Sequence, residues 1–477
     1  MKKEHKFLIF LILLALIVRI IFVFVEPIQI WDGTVFANLG YDLSSNPFSY
    51  NFDNGYWSDY VPLGEWPKAG FRPPVLPYTL AIWYFFGLGN LVKFFMCIVG
   101  ALSVLGVFLL SKKIFNKEVA IYSSVFFALL PLHVIYSAKL LSGLYATFFL
   151  LFAILFFWKG FEEHKDKYKI LFGIFLALAL LTRYTVLWLF LIFPIYLLIK
   201  NKNFSFLKDK YLWYSILSFF VVLIPWFLFG KSTYGNFLGA FMHGIRAAST
   251  GHAESIFFYL VNSYMFSILA LVVILCVFLF FYKKQFRNKE VLFLFLWIFL
   301  FFIISSIYHY KEIRFLLPIS PAICILSGFF VSQLKTERLR KIIFSIIIIF
   351  LVFSLFLQFT LTYNKENNPT NLCFLESNKF LKNLNDNSLV ITDESPRIYY
   401  YSKKETHFYP NPWNLENLDN LVYNYYGERD VYILFTDYDM PLNNDKHIQI
   451  KSDLGLNFEK AFECSEDKGF SIIYRYS

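Results

Sequence analysis

The chain has 477 residues, 57% hydrophobic, 22% aromatic and only 16% charged, with a mean hydropathy of +0.53. Soluble domains carry about 25% charged residues, so the composition excludes an ordinary soluble enzyme, and repeated long apolar runs indicate a polytopic α-helical membrane protein. The net charge of +10 comes mainly from Lys and Arg in short loops, which the positive-inside rule explains, so no nucleic acid is expected as a partner.

The start, MKKEHK, precedes an apolar run over residues 7–25 that lacks a small-residue cleavage site. It is expected to be a retained signal anchor, with Lys2, Lys3 and Lys6 on the cytoplasmic side. Residues 26–74 are then extracytoplasmic and too long and polar for a mere connector. This loop carries Glu26, Asp32, Asp42, Lys68 and Arg72. Asp32 falls just past the first span and so lies near the bilayer surface; an equally simple role is N-cap of a loop helix starting at Gly33. Residues 75–87 are too short to cross about 30 Å of hydrocarbon. They are expected to form an interfacial or re-entrant helix, with Trp83 and Tyr84 as anchors.

Ten further crossings are expected over residues 91–110, 119–137, 141–158, 168–181, 184–199, 211–229, 255–282, 291–308, 315–333 and 342–362. With the first run this gives about eleven, N-terminus in and C-terminus out, and every strongly basic loop falls inside. Counting residues 75–87 as a span would invert that pattern. After residue 362 the composition changes, and residues 363–477 are expected to form a small extracytoplasmic α/β domain. Strands are predicted at 388–392, 431–435 and 470–474, and helical spacing at 377–384 and 412–426. Cys97, Cys276 and Cys324 lie in apolar runs as packing residues, whereas Cys373 and Cys464 lie in the polar region and are able to pair only in an oxidising compartment.

This topology gathers polar residues at the outer face. To those of the first loop it adds Lys139, Arg183, then His243, Arg246, His252 and Glu254, then His309, Lys311, Glu312 and Arg314. Arg183 also fits a snorkelling interfacial residue, and the 309–314 turn a solvated one. Clustered Arg, Lys and His suit a phosphate-bearing lipid, and an acid among them suits removal of a proton from an acceptor hydroxyl. Arg19 lies inside the first span, with a partner on another helix or a packing role expected for it.

The ordered set of an acid after the first span (Asp32), FRPPVLPY at 71–78, LLSGLYATFFLL at 140–151, LALALLTRYTVLWL at 176–189 and HYKEIRFLLPISP at 309–321 resembles the GT-C membrane glycosyltransferases. The similarity is greatest to the protein mannosyltransferases that use dolichyl-phosphate-mannose, a group that includes the bacterial aminoarabinose transferases. The resemblance implies a GT-C fold and inverting transfer of a sugar, mannose or another hexose, from a polyprenyl- or dolichyl-phosphate donor to a protein, lipid or glycan acceptor. It implies Asp32 as catalytic base, Arg72, Arg183, His309 and Arg314 as donor-phosphate ligands, and Asp42, Lys139, His243, Lys311 and Glu312 as substrate-binding residues. Two positions depart from the family pattern: Gly33 and Gly143 stand where relatives often carry acids. If the acid at position 143 helps hold a metal or the acceptor, this chain uses another group or a different acceptor, and the case for a divalent metal is weak. The alternatives are a flippase or transporter of lipid-linked sugar, which would place ionisable residues near the bilayer midplane, and a non-catalytic scaffold.

Overall fold

The computed structural model describes residues 3–26, 28–52, 68–249, 254–284, 288–408, 429–436, 458–466 and 469–476. The chain divides into two compact units: Met1–Phe24, Gly70–Leu76 and Leu88–Phe359 form unit 1, and Val25–Ala69, Pro77–Gly87 and Thr360–Ser477 form unit 2.

Among the described residues eight helices are long and apolar enough to span a bilayer: Glu4–Val25, Gly89–Ile114, Ser142–Glu162, Tyr184–Asn201, Lys210–Tyr234, Lys289–Ile307, Ile313–Ser332 and Glu337–Glu366. The stretch expected to cross unbroken over 255–282 is instead a pair, Phe258–Phe266 and Leu269–Tyr282, bent by 110°. Ser267 at the bend has φ 55, a left-handed conformation that a helix cannot contain. The expected crossing over 119–137 is likewise divided into Lys117–Ala128 and Pro131–Tyr136. Pro131 disfavours helical backbone in the residue before it, and Leu130 is extended at φ −66, ψ 117. Asp166–Thr182, at 17 residues, occupies the crossing expected at 168–181.

Ion pairs bring the basic loops of unit 1 together. Glu162 accepts from Lys200 at 2.7 Å and from Lys289 at 2.9 Å, Glu163 from Lys113 at 2.6 Å, and Glu118 from Arg340 at 2.8 Å. Lys112 pairs with Glu4 at the start of the first helix. These loops therefore share one end of the bundle with the N-terminus, as the charge pattern requires.

Arg19 is fully buried and satisfied by neutral acceptors. Its Nε donates to Ser137 Oγ at 3.2 Å, Nη1 to the carbonyls of Ala15 (2.8 Å) and Ala128 (3.2 Å), and Nη2 to His133 Nδ1 at 2.9 Å. A guanidinium only donates, so His133 is held with Nδ1 as acceptor. The result is a polar clamp between the first helix and the broken Lys117–Tyr136 segment.

In unit 2, helix Trp31–Ser45 packs on the helix beginning at Val75; a Cβ on Gly40 would stand 2.8 Å from Leu80 Cβ, so only glycine allows this approach. Asp32 is not an N-cap. Ile30 occupies that position without a side-chain cap, and Asp32 lies in the first turn. The C-terminal part holds five strands, β1 (Ser388–Thr392), β2 (Glu405–Phe408), β3 (Asp430–Thr436), β4 (Phe458–Glu466) and β5 (Gly469–Tyr476), in the order β2-β1-β3-β5-β4. β1 is parallel to β2 and β3, while β5 is antiparallel to β3 and β4. The predicted strands are the apolar centre, β1, β3 and β5; the edge strands ETHF and FEKAFECSE have no apolar run to reveal them. Helix Pro369–Lys382 covers one face, where Phe374 and Leu381 meet Val390, Leu434 and Ile473. The helix expected over 412–426 lies outside the described residues. Cys373 and Cys464 form a disulfide that fastens this helix to β4, 91 residues on.

Replacing Cys373 and Cys464 by serine is expected to lower the stability of unit 2 by about 2–5 kcal/mol, because the unfolded chain regains the freedom the crosslink removed. Hydrogen exchange of β4 and β5 in the detergent-solubilised protein would accelerate, while the helices of unit 1 keep their protection.

Candidate functional site

Three sequence motifs converge within unit 1. Helix Ser142–Phe157 begins after the extended Leu141 and places Gly143 in its first turn. Helix Asp166–Thr182 ends at Arg183, whose backbone is extended at φ −156, ψ 113. The turn after Ile307 leads into the 3-10 segment Ile313–Ile319. A Cβ on Gly143 would stand 3.5 Å from Arg183 Nη1, 3.7 Å from the Arg314 carbonyl and 3.1 Å from Leu317 Cδ1. Position 143 is therefore the point where the helix start, the Arg183 corner and the 309–319 turn meet.

The side chains around that point are cationic and aromatic. Arg183 donates from Nε to Thr185 Oγ1 at 3.0 Å, and its guanidinium lies 4.5 Å from the Phe315 ring centre. The Arg314 guanidinium lies 5.8 Å from the same centre and pairs with Glu312, which also accepts from the Tyr310 hydroxyl. Tyr259, fully buried, stands within electrostatic reach of both Arg183 and Glu312. Its hydroxyl lies against the Glu312 backbone and makes no well-formed hydrogen bond among the described residues. A buried hydroxyl left unpaired costs about 1–3 kcal/mol, so this one, near the Arg183 guanidinium, marks a place where a ligand oxygen fits. Lys311, also buried, donates to the Glu254 carbonyl at 2.8 Å, and the Glu254 amide donates to the His309 carbonyl at 2.9 Å. The His309 side chain is exposed.

A second network ties Arg72 and His243 to the same corner. Tyr184, next to Arg183, donates to the Gly70 carbonyl at 3.1 Å and accepts from Trp226 Nε1 at 2.8 Å. The Gly70 amide donates to the Tyr234 hydroxyl at 3.1 Å. Arg72 lies over Phe71 at 5.1 Å, and the His243 imidazole stacks on Tyr234 at 4.2 Å. Thr185, Leu187, Trp188, Gly244, Ile245 and Tyr308 line a small pocket with Tyr184, and Trp188 Nε1 donates to the Tyr308 hydroxyl at 2.6 Å.

Lys139 lies 5.3 Å from the Tyr136 ring, in the connection that enters the helix at Ser142. Asp32 and Asp42 belong to unit 2, on helix Trp31–Ser45; Asp32 is half-buried, and Asp42 Oδ1 accepts from the Tyr399 hydroxyl at 3.1 Å. Glu26 and Lys68 also lie in unit 2; Arg246 is exposed in unit 1, and His252 is outside the described residues. Among the described residues no group of three or more His, Cys, Asp or Glu side chains is placed to hold a metal ion. Sequence reasoning missed Tyr259, Tyr184, Trp226 and Tyr234. Nothing distinguishes them among 32 tyrosines and 10 tryptophans until the helices bring them beside Arg183 and Gly70.

Residues 6–410 match the Alg9-like mannosyltransferase family. The chain belongs to that family. It is a multi-pass membrane glycosyltransferase of GT-C type, and the family's chemistry is transfer from a lipid-linked sugar. No curated protein matches the chain closely. Among solved structures it is similar to ArnT from Cupriavidus metallidurans bound to undecaprenyl phosphate, at TM-score 0.76 and 12% identity over 98% of both chains. It is also similar to the Archaeoglobus fulgidus oligosaccharyltransferase tethered to an acceptor peptide, at TM-score 0.62 and 13% identity over 97% of this chain and 74% of that one. The Archaeoglobus fulgidus oligosaccharyltransferase AglB, in complex with an inhibitory peptide and a dolichol-phosphate, gives TM-score 0.59 and 13% identity over 99% of this chain and 74% of that one.

Two tyrosine variants should separate site from scaffold. Tyr259→Phe removes an unpaired hydroxyl, so the family member should be as stable as before or gain up to about 1–3 kcal/mol, yet transfer sugar more slowly. Tyr184→Phe leaves the Gly70 carbonyl and Trp226 without their partner and should lose a similar amount of stability. Thermal unfolding in detergent, set beside a transfer assay, reads both.

Proposed function

We propose that the chain transfers a sugar, mannose in the first instance, from a polyprenyl phosphate to an acceptor hydroxyl at the extracytoplasmic face of the cell membrane. The observation that carries this reading is the meeting of the Arg183 guanidinium and the Arg314 backbone at Gly143, with the buried Tyr259 hydroxyl near Arg183, at the opposite end of helix Ser142–Glu162 from the ion-paired basic loops. A 21-residue helix is about 30 Å long, the thickness of the hydrocarbon core, so that convergence lies at the outer surface when the basic loops are cytoplasmic. The Cys373–Cys464 disulfide supports the same orientation, since such bonds persist in oxidising compartments.

In the proposed reaction the acceptor oxygen attacks C1 of the sugar from the face opposite the phosphate. The C1–O bond to phosphate breaks with inversion, the acceptor proton passes to the Asp32 carboxylate, and polyprenyl phosphate leaves with the bonding electrons. Phosphate is a good leaving group without a general acid, so the main demand is to stabilise its growing charge. Arg183 and Arg314 meet that demand as bidentate donors, with Tyr259 contributing its O–H; Arg72 and His309 are further candidates. Asp42, Lys139, His243, Lys311 and Glu312 are assigned to substrate binding. A protein, lipid or glycan is the acceptor. Structural neighbours that bind undecaprenyl phosphate and dolichol-phosphate favour a polyprenyl donor.

Membranes containing the chain, given labelled polyprenyl-phosphate sugars, should release polyprenyl phosphate and label an endogenous acceptor. Asp32→Asn is expected to reduce transfer about 10²–10⁴-fold, the range of a general base. Arg183→Ala should reduce it about 10²–10³-fold, with weaker retention of polyprenyl phosphate. Full transfer by the Asp32 variant would remove that residue from the mechanism, and no transfer from any polyprenyl-phosphate sugar by the native chain would remove the donor class.

A further inference from the structure

A general base has to be held still, since a displacement of about 1 Å can cost about 10²-fold in rate. Asp32 sits in the first turn of helix Trp31–Ser45, and Ile30 gives that turn no side-chain cap. The end turns of a helix are the ones that fray. Here the restraint comes from helix Ser395–Ser402, which follows β1 in the same unit.

Contacts between the two helices run the length of the one that carries Asp32. Just before it, the Gln29 amide donates to the Tyr401 hydroxyl at 2.7 Å. At its first residue, the Arg397 guanidinium lies 5.6 Å from the Trp31 ring centre. In its middle, Asn38 Nδ2 donates to the Pro396 carbonyl at 2.8 Å. Near its end, the Tyr399 hydroxyl donates to Asp42 Oδ1 at 3.1 Å, and the Lys403 ammonium stands 4.5 Å from the Tyr41 ring centre. From end to end, the one helix is held by the other.

Arg397 makes the contact next to Asp32 in the chain. Its Nη1 donates to Glu394 Oε2 at 2.8 Å, and both side chains are buried. Glu394 is fixed in turn, its amide donating to Thr392 Oγ1 at 3.1 Å at the end of β1. Apolar residues in place of a buried ion pair are often as stable or more so, which leaves orientation as what this pair supplies. The guanidinium holds the indole by cation–π attraction. Restraint therefore passes from the sheet through Glu394 and Arg397 to Trp31, the residue before Asp32. We propose, on the reading of Asp32 as the base, that helix Ser395–Ser402 is a splint for the base and that Arg397 is a positioning residue, acting on Asp32 through Trp31. The sheet domain thereby takes part in catalysis through the geometry of the base.

Arg397→Gln leaves a donor for Glu394 but removes the cation over Trp31, and Tyr401→Phe removes only the hydroxyl that holds Gln29. In the full-length protein in detergent, both should accelerate hydrogen exchange of amides 29–35 while β1 and β3 keep their protection. With labelled polyprenyl-phosphate mannose, Arg397→Gln should lower kcat about 10²-fold with KM for the donor unchanged, and Arg397→Lys should restore most of it. Asp32→Asn supplies the decisive background. A residue that acts through the base has nothing left to position there, so Asp32→Asn combined with Arg397→Gln should transfer at the rate of Asp32→Asn alone. A further fall in the double variant would overturn the positioning role, as would an unchanged kcat in Arg397→Gln when Asp32→Asn is disabled. Unchanged exchange of amides 29–35 in both variants would overturn the splint. Full transfer by Asp32→Asn, or none by the native chain, would instead remove the reading of Asp32 as the base, and the positioning role with it.

Discussion

A peptide group inside an apolar bundle must be hydrogen-bonded, because no water is there to replace a missing partner. The Gly70 peptide meets this condition through two tyrosines, with Tyr184 donating to its carbonyl and Tyr234 accepting from its amide. Tyr184 is in turn fixed by Trp226. The loop residues Phe71 and Arg72 are thereby anchored to the residue that follows Arg183. His243 stacks on the second tyrosine. A segment that would otherwise be a mobile connector becomes part of the wall that carries the cationic residues.

The same condition explains how the helices end. Continuous helices satisfy their own peptides, whereas Arg183 and Glu312 have extended backbone and expose groups for other uses. The interruptions at Leu130 and Ser267 are of the same kind. Arg19 shows the cost of polarity deeper in the bundle: its guanidinium is tolerated because two carbonyls, a hydroxyl and an imidazole converge on it. A cation held by four hydrogen bonds from two elements stiffens the bundle.

What could be read from the sequence follows from the size of the signal. Spans of twenty apolar residues and basic loops are strong signals, so the bundle and the common face of Lys113, Lys200 and Lys289 were legible. Val75–Phe85 was separable from the spans by length alone. Residues 255–282 read as one crossing because hydropathy does not register a single left-handed Ser267. The sheet was legible only at its apolar centre, since β2 and β4 alternate polar and apolar residues at the edges. Arg183, Gly143 and Arg314 could be picked out by motif, but their meeting point depends on three helix ends. Tyr259 carries no local mark at all, because an unpartnered hydroxyl is a property of the packed state.

The arrangement also discriminates among activities. A transporter needs polar groups along a path through the bilayer. Helix Ser142–Glu162 instead has Gly143 beside Arg183 at one end and Glu162 with Lys200 and Lys289 at the other. Between them Leu150, Leu151, Ala153, Ile154 and Phe157 are buried in the apolar core. A scaffold would tolerate that core but gives no reason for Tyr259, where phenylalanine would pack as well without an unsatisfied hydroxyl. Sustaining the penalty of that hydroxyl makes sense where a ligand relieves it during turnover. Beside the Arg183 guanidinium the fitting ligand is anionic and rich in acceptor oxygens, as a departing lipid phosphate is. The enzyme reading is therefore the one that accounts for both the apolar middle of the helix and the polar group left unsatisfied near its end.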